Sequence, residues 1–133
     1  MTPIRTATNT ALAPIRVGRD PWAIAITPDG KTAYVANLQS GTVTPIRTAT
    51  NTALAPIKVG ESPVAIAITP DGQTAYVVVG SGPSRPGTVT PIRTATNQAL
   101  RPIKVGYLPG TIAITPSHSA DRSPGRMLPG ARR

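Results

Sequence analysis

One phrase is written three times along this chain, and it limits the fold more than any other feature. Thr2 to Gly18 reads TPIRTATNTALAPIRVG and Thr44 to Gly60 reads TPIRTATNTALAPIKVG, while Thr90 to Gly106 reads TPIRTATNQALRPIKVG. The first two copies differ only at Arg16 against Lys58. Thr2 and Thr44 are 42 residues apart and Thr44 and Thr90 are 46 apart, the extra length lying in the Gly80 to Gly87 loop. A second block follows the first two copies: PWAIAITPDGKTAYVAN from Pro21 and PVAIAITPDGQTAYVVV from Pro63. Self-similarity at a period of about 40 residues belongs to solenoids, propellers and arrays, in which each repeat is one supersecondary unit buried by its neighbours.

The chemistry within a period selects strands. Val64, Ile66 and Ile68 alternate with the small Ala65 and Ala67, so a strand over Val64 to Thr69 is apolar on both faces and must be covered on both. Thr69-Pro70-Asp71-Gly72 is a hairpin signal, with Pro presetting φ and Gly taking a left-handed position. A second strand is predicted over Thr74 to Val79 and a third over Thr88 to Arg93. Thr94-Ala95-Thr96-Asn97 then turns the chain into a fourth, Ala99 to Val105. Pro recurs several times per repeat and breaks helices, which excludes a helical solenoid. The expected fold is all-β: a partial β-propeller of four-stranded antiparallel blades, two complete blades plus terminal part-blades. Pro45 and Pro91 fall inside the third strand, where a missing N–H predicts a bulge or frayed pairing. Pro56 and Pro102 are easier to place, since the fourth strand is the outer edge.

Phasing the repeat sets the domain organisation. Residues 1–18 supply the outer two strands of a part-blade, 19–60 the first blade and 61–106 the second. Residues 107–116 supply the inner strand of another part-blade. Past Pro116 no DGxTAYV block follows, and the Ser-, Pro-, Gly- and Arg-rich stretch 117–133 is expected to be a disordered basic tail. Closed propellers use about four to eight blades. The expected partners are therefore another protein, or a second copy, meeting exposed blade faces and edges. In the latter case two chains would close a six-bladed ring. A fragment of a longer propeller fits the same pattern.

Composition removes several functional classes. There is no Cys, hence no disulfide framework or thiolate metal site. The single His, His118, lies in the tail, and no HxH or HExxH spacing supplies zinc ligands. Among five acids, Asp29 and Asp71 belong to the turn motifs and no pair is placed for general acid and base work. Neither a catalytic residue nor a cofactor site is expected. No apolar run reaches the roughly 18 residues of a membrane span, and no signal-peptide pattern opens the sequence.

The formal charge of +9 is largely the product of duplication: Arg5, Arg47 and Arg93 occupy one repeat position, and Arg16, Lys58 and Lys104 another. Such a column could track phosphates of a polyanion or single-stranded nucleic acid. Single-strand binding also needs stacking platforms, and Trp22, Tyr34, Tyr76 and Tyr107 are the whole aromatic set. Trp22 is unrepeated, replaced by Val64 and Gly110. Trp22 and the Arg column are the candidate binding residues, beside the plainer reading of packing and a solvated face.

The blocks Pro21 to Asn37 and Gly41 to Ile46, in this order and period, resemble the YVTN-repeat β-propeller family, related to surface-layer and lactonase-like propellers. The resemblance covers roughly residues 2 to 116. It implies a non-enzymatic binding or structural module of the cell envelope. A lactonase-like enzyme is implied by the same resemblance, but the acid and His clusters it would use are not in the sequence.

Overall fold

A computed structural model describes residues 1–116, and the tail predicted over 117–133 lies outside the described residues. Twelve strands occur among them, and no helix. An N-terminal hairpin is formed by β1 (Ile4–Arg5) and β2 (Thr10–Ala11). The first blade contains β3 (Pro21–Ile26), β4 (Thr32–Asn37), β5 (Thr42–Arg47), β6 (Thr52–Ala53) and β7 (Ile57–Lys58). The second contains β8 (Ser62–Ile68), β9 (Thr74–Gly80), β10 (Pro86–Arg93), β11 (Gln98–Ala99) and β12 (Ile103–Tyr107). Each blade is an antiparallel meander, β3-β4-β5 and β8-β9-β10, with both short outer pieces pairing on the third strand.

Those outer pieces are one fourth strand broken in two. The break sits opposite the strand prolines. The Pro45 carbonyl accepts the Leu54 N–H at 2.8 Å, and the Pro91 carbonyl accepts the Leu100 N–H at 2.8 Å. The N–H and C=O of one strand residue face the same neighbour, so the donor that each proline lacks is missing on the outer side. There β6 stops at Ala53 and β7 starts at Ile57, with Pro56 between; in blade 2, Pro102 sits in the corresponding gap. Pairing toward the second strand continues unbroken through Tyr34↔Pro45 and Tyr76↔Pro91. The fraying expected at the prolines is therefore confined to the edge, and the fourth strand predicted as continuous from Ala99 to Val105 is interrupted.

The bulge lies elsewhere. Register shifts between Pro21 and Ala23, and again between Pro63 and Ala65, so Trp22 and Val64 are the extra residues of matching bulges on the inner strands. A bulge re-aims a side chain and accommodates a residue without a donor.

Each blade has a rear face, toward the N-terminal hairpin, and a forward face. Tyr34, Ala36, Val43 and Ile57 on the forward face of blade 1 bury against Ala75, Val77, Val79 and Ile92 on the rear of blade 2. Ala33, Val35 and Ile46 on the rear of blade 1 bury against Ile15, with Met1 and Val17 packed alongside. The hairpin therefore sits where the outer half of a preceding blade belongs. Met1 and Ile15 exchange backbone hydrogen bonds at 2.8 and 3.1 Å, extending the hairpin beyond β1 and β2.

One expected element is not formed. Of residues 107–116, predicted as an inner strand, Tyr107 ends β12 and residues 108–116 carry no strand. An inner strand of this fold pairs only with the second strand of its own blade, and among the described residues no second strand stands beside this segment.

Candidate binding surfaces at the ends of the arc

The loops between β3 and β4, and between β8 and β9, are built alike and explain both repeated acids. Oδ1 of Asp29 accepts the Thr27 hydroxyl at 2.7 Å and the Lys31 N–H at 2.9 Å, while Gly30 takes φ 75°. In the second copy Oδ1 of Asp71 accepts the Thr69 hydroxyl at 2.6 Å and the Gln73 N–H at 3.0 Å, with Gly72 at φ 74°. These bonds favour the ionised form. The Lys31 N–H, followed by the Thr27 hydroxyl, holds the Asp29 carboxyl below its ordinary range. The Thr69 hydroxyl, followed by the Gln73 N–H, does the same for Asp71. A cavity of about 360 Å³ lies at the seam between the two loops, lined by Asp29, Asp71, Tyr34 and Thr94 among others. Both carboxylates there are committed to their turns. Among the described residues no group of three or more His, Cys, Asp or Glu could hold a metal ion.

Trp22 and the Arg column are placed at opposite ends of the blade. Arg47 pairs with Thr32 and Arg93 with Thr74, next to the Asp-Gly turns, and Arg5 occupies the same position in the hairpin. Trp22 lies at the start of β3, beside the Pro21↔Asn37 pair. About five strand residues at roughly 3.3 Å each separate these levels. Arg5, Arg47 and Arg93 are all exposed, and Asp29 and Asp71 belong to the same end of the blades.

The marked surfaces are the two end faces. Repeat-equivalent residues that are buried inside the arc are exposed where it stops. At the rear end Ile4 is 55% exposed, whereas its counterparts Ile46 and Ile92 are 1% and 0%. On the same side Trp22, Ile24 and Ile26 are 62%, 52% and 57% exposed. Their equivalents in blade 2, Val64, Ile66 and Ile68, are half-buried, the two isoleucines against blade 1. At the forward end Ile103 is 49% exposed while Ile57 and Ile15 are 8% and 6%. Between the hairpin and β3 an apolar cavity of about 240 Å³ is lined by Met1, Pro21, Trp22, Ala23, Ile24 and Val35. It occupies the place of the missing second strand of the hairpin's part-blade.

The sequence marks Trp22 as unrepeated and predicts open blade faces, but no local signal singles out Ile24, Ile26, Ile4 or Ile103 as the residues those faces expose. Their counterparts are core, and only the position of each blade in the arc separates them.

The all-β blades, their meander order and their face-to-face stacking define a segment of a β-propeller. No family model matches the chain, and no curated protein matches it. Solved structures do. The chain is similar to hydrazine synthase of Kuenenia stuttgartiensis, at 33% identity with a TM-score of 0.76, over 83% of this chain and 31% of that one. It is similar to a functionally unknown protein from Desulfotomaculum acetoxidans, at 27% identity and a TM-score of 0.77, over 86% of this chain and 36% of the other. The WD40 repeats of RRP9 share the fold at 13% identity, with a TM-score of 0.58 over 68% of this chain and 28% of that one. The chain thus spans about a third of the length of these neighbours.

Proposed function

We propose that the chain is a non-enzymatic propeller module of the YVTN-repeat kind, acting as a protein-binding or structural element through its open blade faces. The observation that carries this is the exposed Trp22-Ile24-Ile26 stripe, compared with the half-buried Val64-Ile66-Ile68 stripe of identical register. An apolar strand face of this kind is a binding surface when it is contiguous and unpartnered. The internal packing states what fits it: the inner strands of another blade, alternately Ala and Ile or Val. The repeated acids Asp29 and Asp71 are held in their turns and Glu61 pairs with Arg85, which favours recognition over catalysis.

Trp22 is the sole tryptophan and therefore reports directly on its own face. Titration with a synthetic peptide of the Ser62–Gly80 sequence should shift Trp22 emission to the blue and saturate, and Ile24→Glu should abolish the response. Emission that stays at the solvent-exposed wavelength across the titration would remove the basis for this function.

A further inference from the structure

We propose that the two ends of this chain are complementary to each other, so that the forward face of blade 2 in one copy takes the N-terminal hairpin of a second copy. In that contact Tyr76 donates its hydroxyl hydrogen bond to Asn9 of the second copy. This deepens the reading of the ends as binding faces and rests on it.

The contact already exists once inside the molecule. Across the seam between blades, the Tyr34 hydroxyl donates to Oδ1 of Asn97 at 2.6 Å. Tyr76 is the repeat counterpart of Tyr34 and lies on the forward face of the last blade. Asn9 is the counterpart of Asn97 and lies in the first turn of the chain. The acceptor side is preformed: Asn9, Asn51 and Asn97 hold φ of 54°, 53° and 55°, so all three turns have the same local shape. The apolar surfaces match in the same way. Ile4 stands where Ile92 is buried against blade 1, and Ile103 stands where Ile57 is buried against blade 2. Each end therefore presents half of an interface whose other half is the opposite end.

Residues 109–116 join this arrangement. Pro109 lies close against Gly87, and Ile112 and Ile114 are half-buried. Repeat alignment sets them level with Ile24 and Ile26, as the inner strand of the blade after blade 2. In the pair of copies this segment and the second copy's hairpin form one composite blade, whose inner piece lies over the second copy's Trp22, Ile24 and Ile26. The composite lacks a second strand, and the cavity beside Met1 and Trp22 marks its place.

The contact is heterologous, so it must close into a ring or run on as a filament. Each copy contributes two whole blades and one composite. Two copies give six blades, inside the range of about four to eight, whereas three would exceed it. Arg5, Arg16, Arg47, Lys58, Arg93 and Lys104 are all exposed. A net charge of +9 opposes self-association at low salt, so added salt should strengthen it.

The test is light scattering on the 133-residue chain across concentration and salt. The expected result is a dimer mass, favoured by salt. Ile4→Arg and Tyr76→Arg each alter one end; both residues lie at the open faces, and circular dichroism should be unchanged. Each variant alone should dimerise at least tenfold more weakly. Mixed in equal amounts they should recover a one-to-one pair through the one intact junction. Ala55→Arg, on the outer edge of blade 1, should remain dimeric. A monomer mass at every salt concentration, dimerisation indifferent to Ile4→Arg, or a mixture that stays monomeric would overturn the proposal. If the monomeric chain still answers the Ser62–Gly80 peptide through Trp22, only the second copy is excluded as partner. If it does not, the open-face function fails as well.

Discussion

The Tyr34 hydroxyl and Oδ1 of Asn97 meet at 2.6 Å across the blade seam, joining residues 63 positions apart. Burial pushes the Tyr34 hydroxyl pKa up, keeping the proton on the donor. Each blade of the chain therefore carries one half of a link that the next blade completes. Removing it by Tyr34→Phe should cost about 1 kcal/mol. In urea the midpoint should fall with an unchanged slope. Tyr76→Phe should leave the stability of a single copy within about 0.5 kcal/mol, since among the described residues no further blade stands beyond it.

Asn97 has a second duty, which its copies separate from the first. Its φ of 55° places it in the left-handed region, where Gly is unstrained and Asn is tolerated. Asn51 has the same φ of 53° but is exposed. Asn51→Gly should therefore change stability by no more than a few tenths of a kcal/mol, roughly the size of a surface substitution. Asn97→Gly keeps the turn but strands the hydroxyl of the buried Tyr34, and should cost about 1–2 kcal/mol. Thermal midpoints of the two variants compared side by side would separate turn geometry from the seam bond. Equal midpoints would show that the Tyr34 bond contributes nothing.

The period was legible from the copied phrases themselves, and the turns and the apolar alternation of the inner strands because each depends on residues within a few positions of one another. Asp29 and Gly30 do in the folded chain what a Pro-Asp-Gly turn requires. The broken fourth strand was half legible: Pro45 announced a lost donor, but its side followed only from the Leu54 bond. Trp22 was singled out for being unrepeated, while the bulge that carries it is shared with Val64 and has no local sequence mark. The end faces were legible from the phasing as open surfaces, but not residue by residue. Ile4 and Ile46 sit in identical TPIR phrases, and only the presence or absence of a neighbouring blade distinguishes them.

Gly41 should be the least replaceable glycine. Its φ is 67°, and an added Cβ would run into the carbonyl oxygen of Gly60, which is backbone and cannot turn aside. Gly82 has φ of 82° with nothing within 4 Å of the same built position. Gly82→Ala should thus carry only the left-handed penalty, about 1–2 kcal/mol. Gly41→Ala adds displacement of the Gly60 linker and should exceed it by at least about 1 kcal/mol. Denaturant midpoints of the two variants test the difference directly, and equal losses would mean that the linker yields freely.

Asn37 is buried, its Nδ2 donating to the Thr44 hydroxyl at 2.9 Å and the Thr42 hydroxyl at 3.2 Å, but its Oδ1 has no partner. Blade 2 shows the alternative: Val79 occupies the equivalent position, and the Thr90 hydroxyl donates instead to the Val59 carbonyl at 2.9 Å. Leaving a buried acceptor unsatisfied costs about 1–3 kcal/mol, whereas an apolar replacement of similar shape can be neutral or stabilising. Asn37→Val should therefore hold or raise the thermal midpoint, with Thr44 released to bond as Thr90 does. Asn37→Ala, which opens a void as well, should lower it. A Val variant less stable than the Ala variant would show that the two threonine bonds outweigh the orphaned oxygen.

The last expectation concerns acid. Asp29 and Asp71 both have folded-state pKa values below their ordinary ones, so each favours folding while ionised. By linkage that contribution is complete above the unfolded value of about 3.9 and disappears as pH falls through the lowered folded values. Both groups are exposed, which limits the effect of either alone. The double variant Asp29→Asn with Asp71→Asn should melt below the unmodified chain at about pH 7, and the two curves should draw together as pH is lowered from about 3.9 toward about 2.5. Melting temperatures that differ equally at both pH values would assign the loss to turn shape, and would deny the two carboxylates an electrostatic part in holding the hairpins.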